Sequence, residues 1–371
     1  LNRVFELDFE QFVSSLPSPV CINEKLAPRQ CTAIITVAGF EPRCCAAAER
    51  FRSLGWTFEK AFCVHYDHDE MRRANESHTG ILHSILVKLT GGKSPAELKN
   101  EINSFDKDFG QILIETIQNN GIDLTLPETS IVFDITVGSS RLLLESLHTL
   151  LNTGAEIHLA YSESTEYRPF FKEYINTRSA VNINRALPPE FLSVGIEKVE
   201  MLKRIPGMSA DTRPTYLIVF PSFSEIRTHA VIEEISPSKV FWLFGIPHLI
   251  QNRWRIDAQK YYHEDLIEVA HRMCYISTFD YRETLLVLEQ IYQRYNNDYY
   301  FLISSLGSKL QKVGQVLFHL LHPEVGAVAS VPRVWDPDRY SGENAREVYV
   351  VSFGNAKYLN DRLRRTKTFR I

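Results

Sequence analysis

Twice, about half a chain apart, an apolar run breaks into a short polar turn and resumes at helical spacing. Ser130-Ile-Val-Phe133 leads into Asp134-Ile-Thr-Val-Gly-Ser-Ser-Arg141, and Tyr299-Tyr-Phe-Leu-Ile303 leads into Ser304-Ser-Leu-Gly-Ser-Lys309. The residues that follow, Leu142 to Leu151 and Leu310 to Leu321, carry apolar side chains at the spacing of a buried helix face. A strand that feeds straight into a helix demands a crossover, and so a parallel sheet. Glycine and serine in such a turn let an anion approach the unpaired N–H groups of the helix N-terminus, and a nearby cation completes a phosphate-sized site.

The same alternation runs through both halves. Cys31 to Ala38, Phe58 to His65, Ile131 to Ile135 and Glu156 to Tyr161 read as strands. Cys44 to Leu54, Leu142 to Leu151 and most of 76–120 read as helical, the last with a loop at Gly91-Gly-Lys-Ser-Pro95. Residues 176–214 interrupt the rhythm with Pro188-Pro189, Pro206-Gly207 and Pro214. Strands then resume at Thr215 to Phe220, Lys239 to Phe244, Tyr299 to Ile303, Gly326 to Ser330 and Glu347 to Ser352, with helices at Thr228 to Ile235, Arg255 to Leu266 and Arg282 to Tyr295. The fold class expected is α/β: two Rossmann-like domains with mainly parallel sheets, divided as 1–195 and 196–371 and arranged as a pseudo-dimer.

Composition narrows the class. A chain of 371 residues, 44% hydrophobic and 11% aromatic, can bury two cores. A net charge of −4 gives no global pull toward nucleic acid. The basic stretch Arg362 to Arg370 reads as a solvated last helix or tail. The six cysteines contain no C-x-x-C, which fits a reduced cytoplasm better than a disulfide framework. No run is long and apolar enough for a membrane span or a signal peptide.

A second pair of loops matches between the halves. Gly39-Phe-Glu-Pro-Arg43 and Ser222-Phe-Ser-Glu-Ile-Arg227 each follow a strand and hold an aromatic, a carboxylate and an arginine, which points to internal duplication. Ligands of open parallel sheets bind outside the strand C-termini, so each half should gather two of these loops in one crevice. The binding residues expected are Gly39, Phe40, Glu41, Arg43, Asp134, Thr136, Gly138, Ser139 and Arg141 in the first half. In the second they are Ser222, Glu225, Arg227, Gly245, Ser305, Gly307, Ser308 and Lys309. Arg43 with Arg141, and Arg227 with Lys309, are placed to share an anion; Glu41 and Glu225 are placed to bond a ribose hydroxyl or orient the adjacent arginine. The competing reading is structural: Asp134 and Thr136 cap a helix, and Glu41 and Arg43 pair across their loop.

Other signals carry less. His65-Tyr-Asp-His68-Asp-Glu70 holds metal-capable side chains but reads as a solvated acidic turn, and no metal site is expected. The G-x-x-x-x-G-K-[ST], G-x-G-x-x-G and G-x-S-x-G frames are absent, so no nicotinamide or other cofactor is expected. Tyr340-Ser-Gly-Glu343 reads as a turn.

Asp134-Ile-Thr-Val-Gly138 with Arg141 resembles the D-[IL]-T-x-G loop and following basic residue of CARF-type proteins, the CRISPR-associated Rossmann-fold sensors of cyclic oligoadenylates. Leu306-Gly-Ser-Lys309 is similar to the G-T-K or G-S-K form of that loop, and Gly39 to Arg43 stands where the family uses its strand-one exit loop. The resemblance implies a cytoplasmic nucleotide-sensing subunit of a prokaryotic antiviral or stress system. Its ligand is a nucleotide or other phosphate-bearing molecule, and its output passes to a protein effector. Members of the superfamily commonly dimerise and carry an effector domain; here the two halves stand in for the dimer. Direct nucleic-acid binding is not favoured. Two alternatives stay open: a metal-independent ring-nuclease-like enzyme with Arg141, Ser308 and Lys309 as catalytic candidates, and a ligand-free interaction scaffold.

Overall fold

The structure is a computed structural model that describes residues 8–22, 29–66, 69–100, 108–180, 193–208, 212–267, 272–304, 306–335 and 345–367. The chain forms two compact units, Leu1–Ser164 with Glu343–Ile371, and Thr165–Gly342. The first opens with α1 (Phe9–Ser15) and β1 (Val20–Cys21). It continues through β2 (Gln30–Val37), α2 (Ala46–Ser53), β3 (Thr57–Tyr66), α3 (Asp69–Leu89), β4 (Ala96–Asn100), α4 (Phe109–Asn119), β5 (Ser130–Asp134), α5 (Ser140–Leu150) and β6 (Glu156–Ser164). The second holds α6 (Phe171–Ala180), β7 (Ser193–Met201), β8 (Thr215–Val219), α7 (Glu225–Ile235), β9 (Lys239–Ile246) and α8 (Trp254–Tyr262). After these come α9 (Glu264–Ile267), β10 (Arg272–Ser277), α10 (Tyr281–Tyr295), β11 (Tyr300–Ser304), α11 (Lys309–Leu321) and β12 (Gly326–Trp335). The chain then returns to the first unit with β13 (Ala345–Asn355) and α12 (Ala356–Lys367).

One sheet runs β1-β13-β6-β5-β2-β3-β4 and the other β10-β9-β8-β11-β12-β7. Strands β2 to β6 pair in parallel, as do β8 to β12. Numbered in chain order, the five parallel strands of each unit stand as 3-2-1-4-5. The fold is thus mixed α/β with two mainly parallel sheets, consistent with two Rossmann-like domains. Beside the fifth strand of each lies an antiparallel one: β13 on β6, and β7 on β12.

Those flanking strands move the domain boundary. β7 follows β6 in the chain yet belongs to the second sheet, and β13 follows β12 yet belongs to the first. The division therefore differs from the expected 1–195 and 196–371, with Glu347 to Ser352 completing the first sheet instead of the second. Strand identity was readable from the local run Val348-Tyr-Val-Val351, whereas its sheet is set by pairing along the open edge of β6. The proline-rich segment 181–192 and residues 336–344, including Tyr340 to Glu343, lie outside the described residues.

The central strands are unbroken apolar runs because both faces are covered. Ile34, Ile35, Phe62, Val64, Val132 and Phe133 are buried in the first unit, and Leu217, Ile218, Trp242, Phe244, Ile303 and Val328 in the second. β4 departs from the sequence expectation of helix over 76–120. Ala96-Glu-Leu-Lys are good helix formers, but they pair in parallel along the edge of β3, and tertiary pairing overrides so short a local preference. β10 was likewise unanticipated. The basic tail is partly a packed helix, since Leu359 and Leu363 of α12 are buried and the Arg362 guanidinium lies 5.3 Å from the Phe12 ring. Among the described residues no helix is long and apolar enough to cross a membrane.

Candidate functional site

In a 3-2-1-4-5 sheet the connections reverse direction between strands 1 and 4, opening a crevice at their C-termini. In the first unit the loops leaving β2 and β5 meet there. A Cβ on Gly39 would lie 3.0 Å from Val137 Cγ2, and one on Gly138 would lie 2.6 Å from Leu143 Cδ2, so both glycines permit close approach.

Asp134 ends β5 almost wholly buried. Its Oδ1 accepts the Thr136 N–H at 3.0 Å and the Thr136 hydroxyl, while Thr136 Oγ1 accepts the Ser162 N–H of β6 at 2.9 Å. The α5 N-cap is Ser139, whose hydroxyl accepts the Leu142 N–H at 3.3 Å, so the capping assigned to Asp134 and Thr136 falls to Ser139. Ser139 N–H donates to the Tyr66 hydroxyl at 2.5 Å. Arg43 is buried and donates from Nε to Glu41 at 3.0 Å and from Nη1 to the Ser162 carbonyl at 3.1 Å. Glu41 and Arg43 thus pair as the structural alternative described. Arg141 pairs with Glu145 at 3.2 Å, and Glu145 also accepts the Phe109 N–H at 2.9 Å.

Burial pushes the Asp134 carboxyl up from 3.8 to about 6, against the lowering effects of Thr136 and Arg43. The unfolded chain titrates near the lower value. Stability from this group is therefore complete below about pH 4 and is lost as pH rises through 6, where a carboxylate must stay buried. Asp134→Asn keeps an oxygen for both Thr136 donors and removes the loss. Unfolding free energies of the two proteins from urea titrations at pH 4 to 7.5 should separate in the variant's favour by about 3 kcal/mol at the upper end; a gap independent of pH would refute the assignment.

The second unit builds its crevice with different chemistry. Ser222 Oγ accepts the Ser224 N–H at 2.8 Å and donates to the Ser224 carbonyl, shaping the loop after β8. His263, buried beneath it, donates from Nε2 to the Ser222 carbonyl at 2.7 Å, and burial lowers its pKa to about 4, so the ring is neutral at pH 7. Arg255 reaches the carbonyls of Tyr167, Arg168 and Pro169 and lies 4.1 Å from the Phe223 ring centroid. Glu225 sits in the first turn of α7, its carboxyl raised by burial and by Asp265. Arg227 is buried and donates to Ser330 Oγ at 3.2 Å and to its carbonyl at 2.8 Å. Ser162 and Ser330 both lie on the fifth parallel strand, so Arg43 and Arg227 make the same long-range bond in the two units.

The turn from β11 to α11 brings Lys309 and Lys312 to the start of one helix. Ser308 caps α11 in a reciprocal box with Gln311, and its hydroxyl donates to the Thr278 carbonyl at 2.6 Å. Gly307 lies against Phe220 and Gln311, where a side chain would collide. Gly245 falls inside β9, not at its exit, and packs against Thr278. Ser305 lies outside the described residues. Lys309 starts the helix, and one turn on Lys312 is only 3% exposed. The Lys312 ammonium donates to the Gly307 carbonyl. Burial, then the cations Lys309 and Arg227, hold it well below the usual lysine range. Gln311 Nε2 is buried there without a hydrogen-bond partner.

Lys312 and Gln311 were absent from the expected set, although the sequence carried a clue. Ser308-Lys-Leu-Gln311 is an S-x-x-Q capping frame, and residue 312 falls one turn along the same helix face. Ser162 and Ser330 left no local signal.

No protein-family model and no curated protein matches the chain. Among solved structures it is similar to a type III CRISPR defence DNA nuclease activated by cyclic oligoadenylate. The TM-score is 0.42 and the identity 9%, over 78% of this chain and 63% of that one. The chain therefore spans less than two thirds of that nuclease's length. It is also similar to the cytoplasmic domain of a prokaryotic cation chloride cotransporter, with TM-score 0.26 and 7% identity over 82% and 96% of the two chains. A universal stress protein from Pseudomonas aeruginosa UCBPP-PA14 gives 0.23 and 10% over 90% and 98%.

Proposed function

We propose that this chain is a nucleotide-sensing subunit that takes the phosphates of its ligand at the β11–α11 turn of the second unit and passes the signal to a protein effector. The observation that carries this reading is Lys312, a buried lysine in the first turn of α11 that donates to the Gly307 carbonyl and whose charged form is disfavoured by burial and by the cations Lys309 and Arg227. A phosphate at this helix N-terminus would favour the protonated form of Lys312 and meet Lys309 on the same turn. The orphan Gln311 Nε2 offers a further donor. The resemblance of the Asp134 and Lys309 turns to CARF-type loops supports a cyclic oligonucleotide as the ligand class and an antiviral or stress system as the setting.

Internal duplication belongs to the same reading. It is supported by the shared 3-2-1-4-5 order, the Ser139 and Ser308 caps, and the paired Arg43–Ser162 and Arg227–Ser330 bonds. In the first unit Arg43 and Arg141 each face a carboxylate.

Thermal unfolding with cyclic oligoadenylates, NAD derivatives and nucleoside phosphates tests the proposal. A ligand at a hundred times its Kd should raise the midpoint by roughly 5 °C. Lys309→Ala should weaken that ligand roughly tenfold or more. No shift with any of them would remove the reading. Analysis of the recovered nucleotide separates sensing from turnover: intact ligand fits a sensor, and cleavage lost in Lys309→Ala fits the ring-nuclease alternative.

A further inference from the structure

On the other edge of the first unit, four side chains with no part in that reading converge. Cys63 and His65 lie two residues apart on β3, and so on one face of the strand. Glu97 of β4 is the register partner of Cys63, and His83 comes from α3. One donor atom from each lies within 4.8 Å of the other three. Glu97 bridges the two imidazoles, with Oε2 on His65 Nε2 and Oε1 2.9 Å from His83 Nε2. The His83 nitrogen is shielded from solvent, yet despite that short distance it makes no hydrogen bond. The two rings stand edge to face, 5.6 Å apart.

We propose that Cys63, His65, His83 and Glu97 form a four-coordinate site for a zinc-type divalent cation. One thiolate, two imidazoles and a carboxylate make a donor set of borderline softness. Zinc(II) and cobalt(II) accept it in tetrahedral geometry, whereas calcium and magnesium require oxygen ligands. Around a tetrahedral zinc, neighbouring donors stand about 3.3 to 3.7 Å apart, so the gathered atoms need only small side-chain adjustments. Cys63 is fully buried, while His65, His83 and Glu97 are partly exposed, giving the cation a route from solvent to a sheltered sulfur.

The ligands come from three elements, and the site fastens β4 to β3 and α3. That is where the fold needs fastening, because β4 is an edge strand of helix-forming residues. The sequence offers His65 with His68, Asp69 and Glu70 as its metal-capable group and suggests no metal. The partners proposed here are instead distant in sequence, and only the β3–β4 register and the α3 crossover unite them. The site is independent of the nucleotide reading, so either can fail alone.

The test uses the full chain. Elemental analysis after purification from zinc-replete cells should find about one equivalent of zinc. The chelator-treated chain, reloaded with cobalt(II), should show intense tetrahedral ligand-field bands and a thiolate-to-cobalt charge-transfer band. Cys63→Ser should lose the charge-transfer band. His83→Gln, at a partly exposed helix position, should weaken binding at least about a hundredfold, the upper range for loss of a mere outer-shell partner. Circular dichroism verifies folding of each protein, and Glu97→Gln replaces any variant that does not fold, with the same loss of affinity expected. Folded wild type that takes up neither metal, that binds cobalt without a thiolate band, or that keeps its affinity in both His83→Gln and Glu97→Gln would overturn the proposal.

Discussion

His322→Ala is expected to cost about 3 to 5 kcal/mol of stability, the largest single-residue effect anticipated in the second unit. His322 caps α11 and is buried with Glu289 of α10, their Nε2 and Oε2 atoms 2.6 Å apart. Its Nδ1 lies 3.1 Å from Glu324, which also accepts the Tyr292 hydroxyl at 2.5 Å. The ring thus has a carboxylate at each nitrogen. Burial raises the Glu324 carboxyl, but the hydrogen bonds from His322 and Tyr292 outweigh it and bring the value down to about 2. Alanine removes the ring between the two carboxylates and leaves Glu289, in a site nearly closed to water, to the Gln293 amide at 2.8 Å. Urea unfolding of the full chain checks the loss. Adding Glu289→Gln to the alanine variant should recover more than half of it, because the cost lies in a buried carboxylate that has lost its ring partner. A loss below about 1 kcal/mol, or no recovery, would contradict this account.

Gly314→Ala in the second unit and Gly110→Ala in the first should both destabilise, against the intrinsic preference for alanine in helices. At Gly314 a Cβ would collide with the Tyr281 carbonyl oxygen and lie 2.7 Å from Thr284 Cβ; at Gly110 it would collide with Thr149 Oγ1 and lie 2.7 Å from the Glu145 carbonyl. These contacts are where α10 crosses α11 and α4 crosses α5, the helices before and after the fourth parallel strand. Backbone cannot yield as a side-chain tip can, so each crossing must open, at about 1 to 3 kcal/mol or more. Gly80→Ala in α3 is the control. No atom lies within 4 Å of its Cβ position, so it should gain up to about 1 kcal/mol. Thermal unfolding that ranks Gly314→Ala and Gly110→Ala with Gly80→Ala would show that the crossings are loose.

The parallel cores were readable because their strands are continuous apolar runs ending in glycine and serine. Ser130 to Arg141, Tyr300 to Ser304 and Leu306 to Lys309 fold much as their sequence suggests. β4 was hidden because Ala96-Glu-Leu-Lys carries no strand preference of its own. The place of β13 was hidden because its sheet is chosen by an edge that precedes it in the chain by the whole of the second unit. At the crevices, serine caps and close-approach glycines were visible as local patterns. The Glu41–Arg43 pair was among the readings of the sequence, but the bonds from Arg43 and Arg227 to a carbonyl on a fifth strand far away in sequence were not. Burial likewise distinguishes Lys312 from an ordinary surface lysine, and burial follows only from packing.

Lys312→Met gives the central claim its sharpest test. A buried lysine whose charged form is disfavoured by burial and by Lys309 and Arg227 costs stability in the free protein, and a bound anion offsets that cost. Calorimetric titration of wild type and Lys312→Met with cyclic oligoadenylates, run beside thermal unfolding of both, measures the two sides together. The predicted result is a variant at least as stable as wild type that has lost most of its affinity. A folded wild type that binds none of these nucleotides, or a variant that binds them as tightly as wild type, would contradict it.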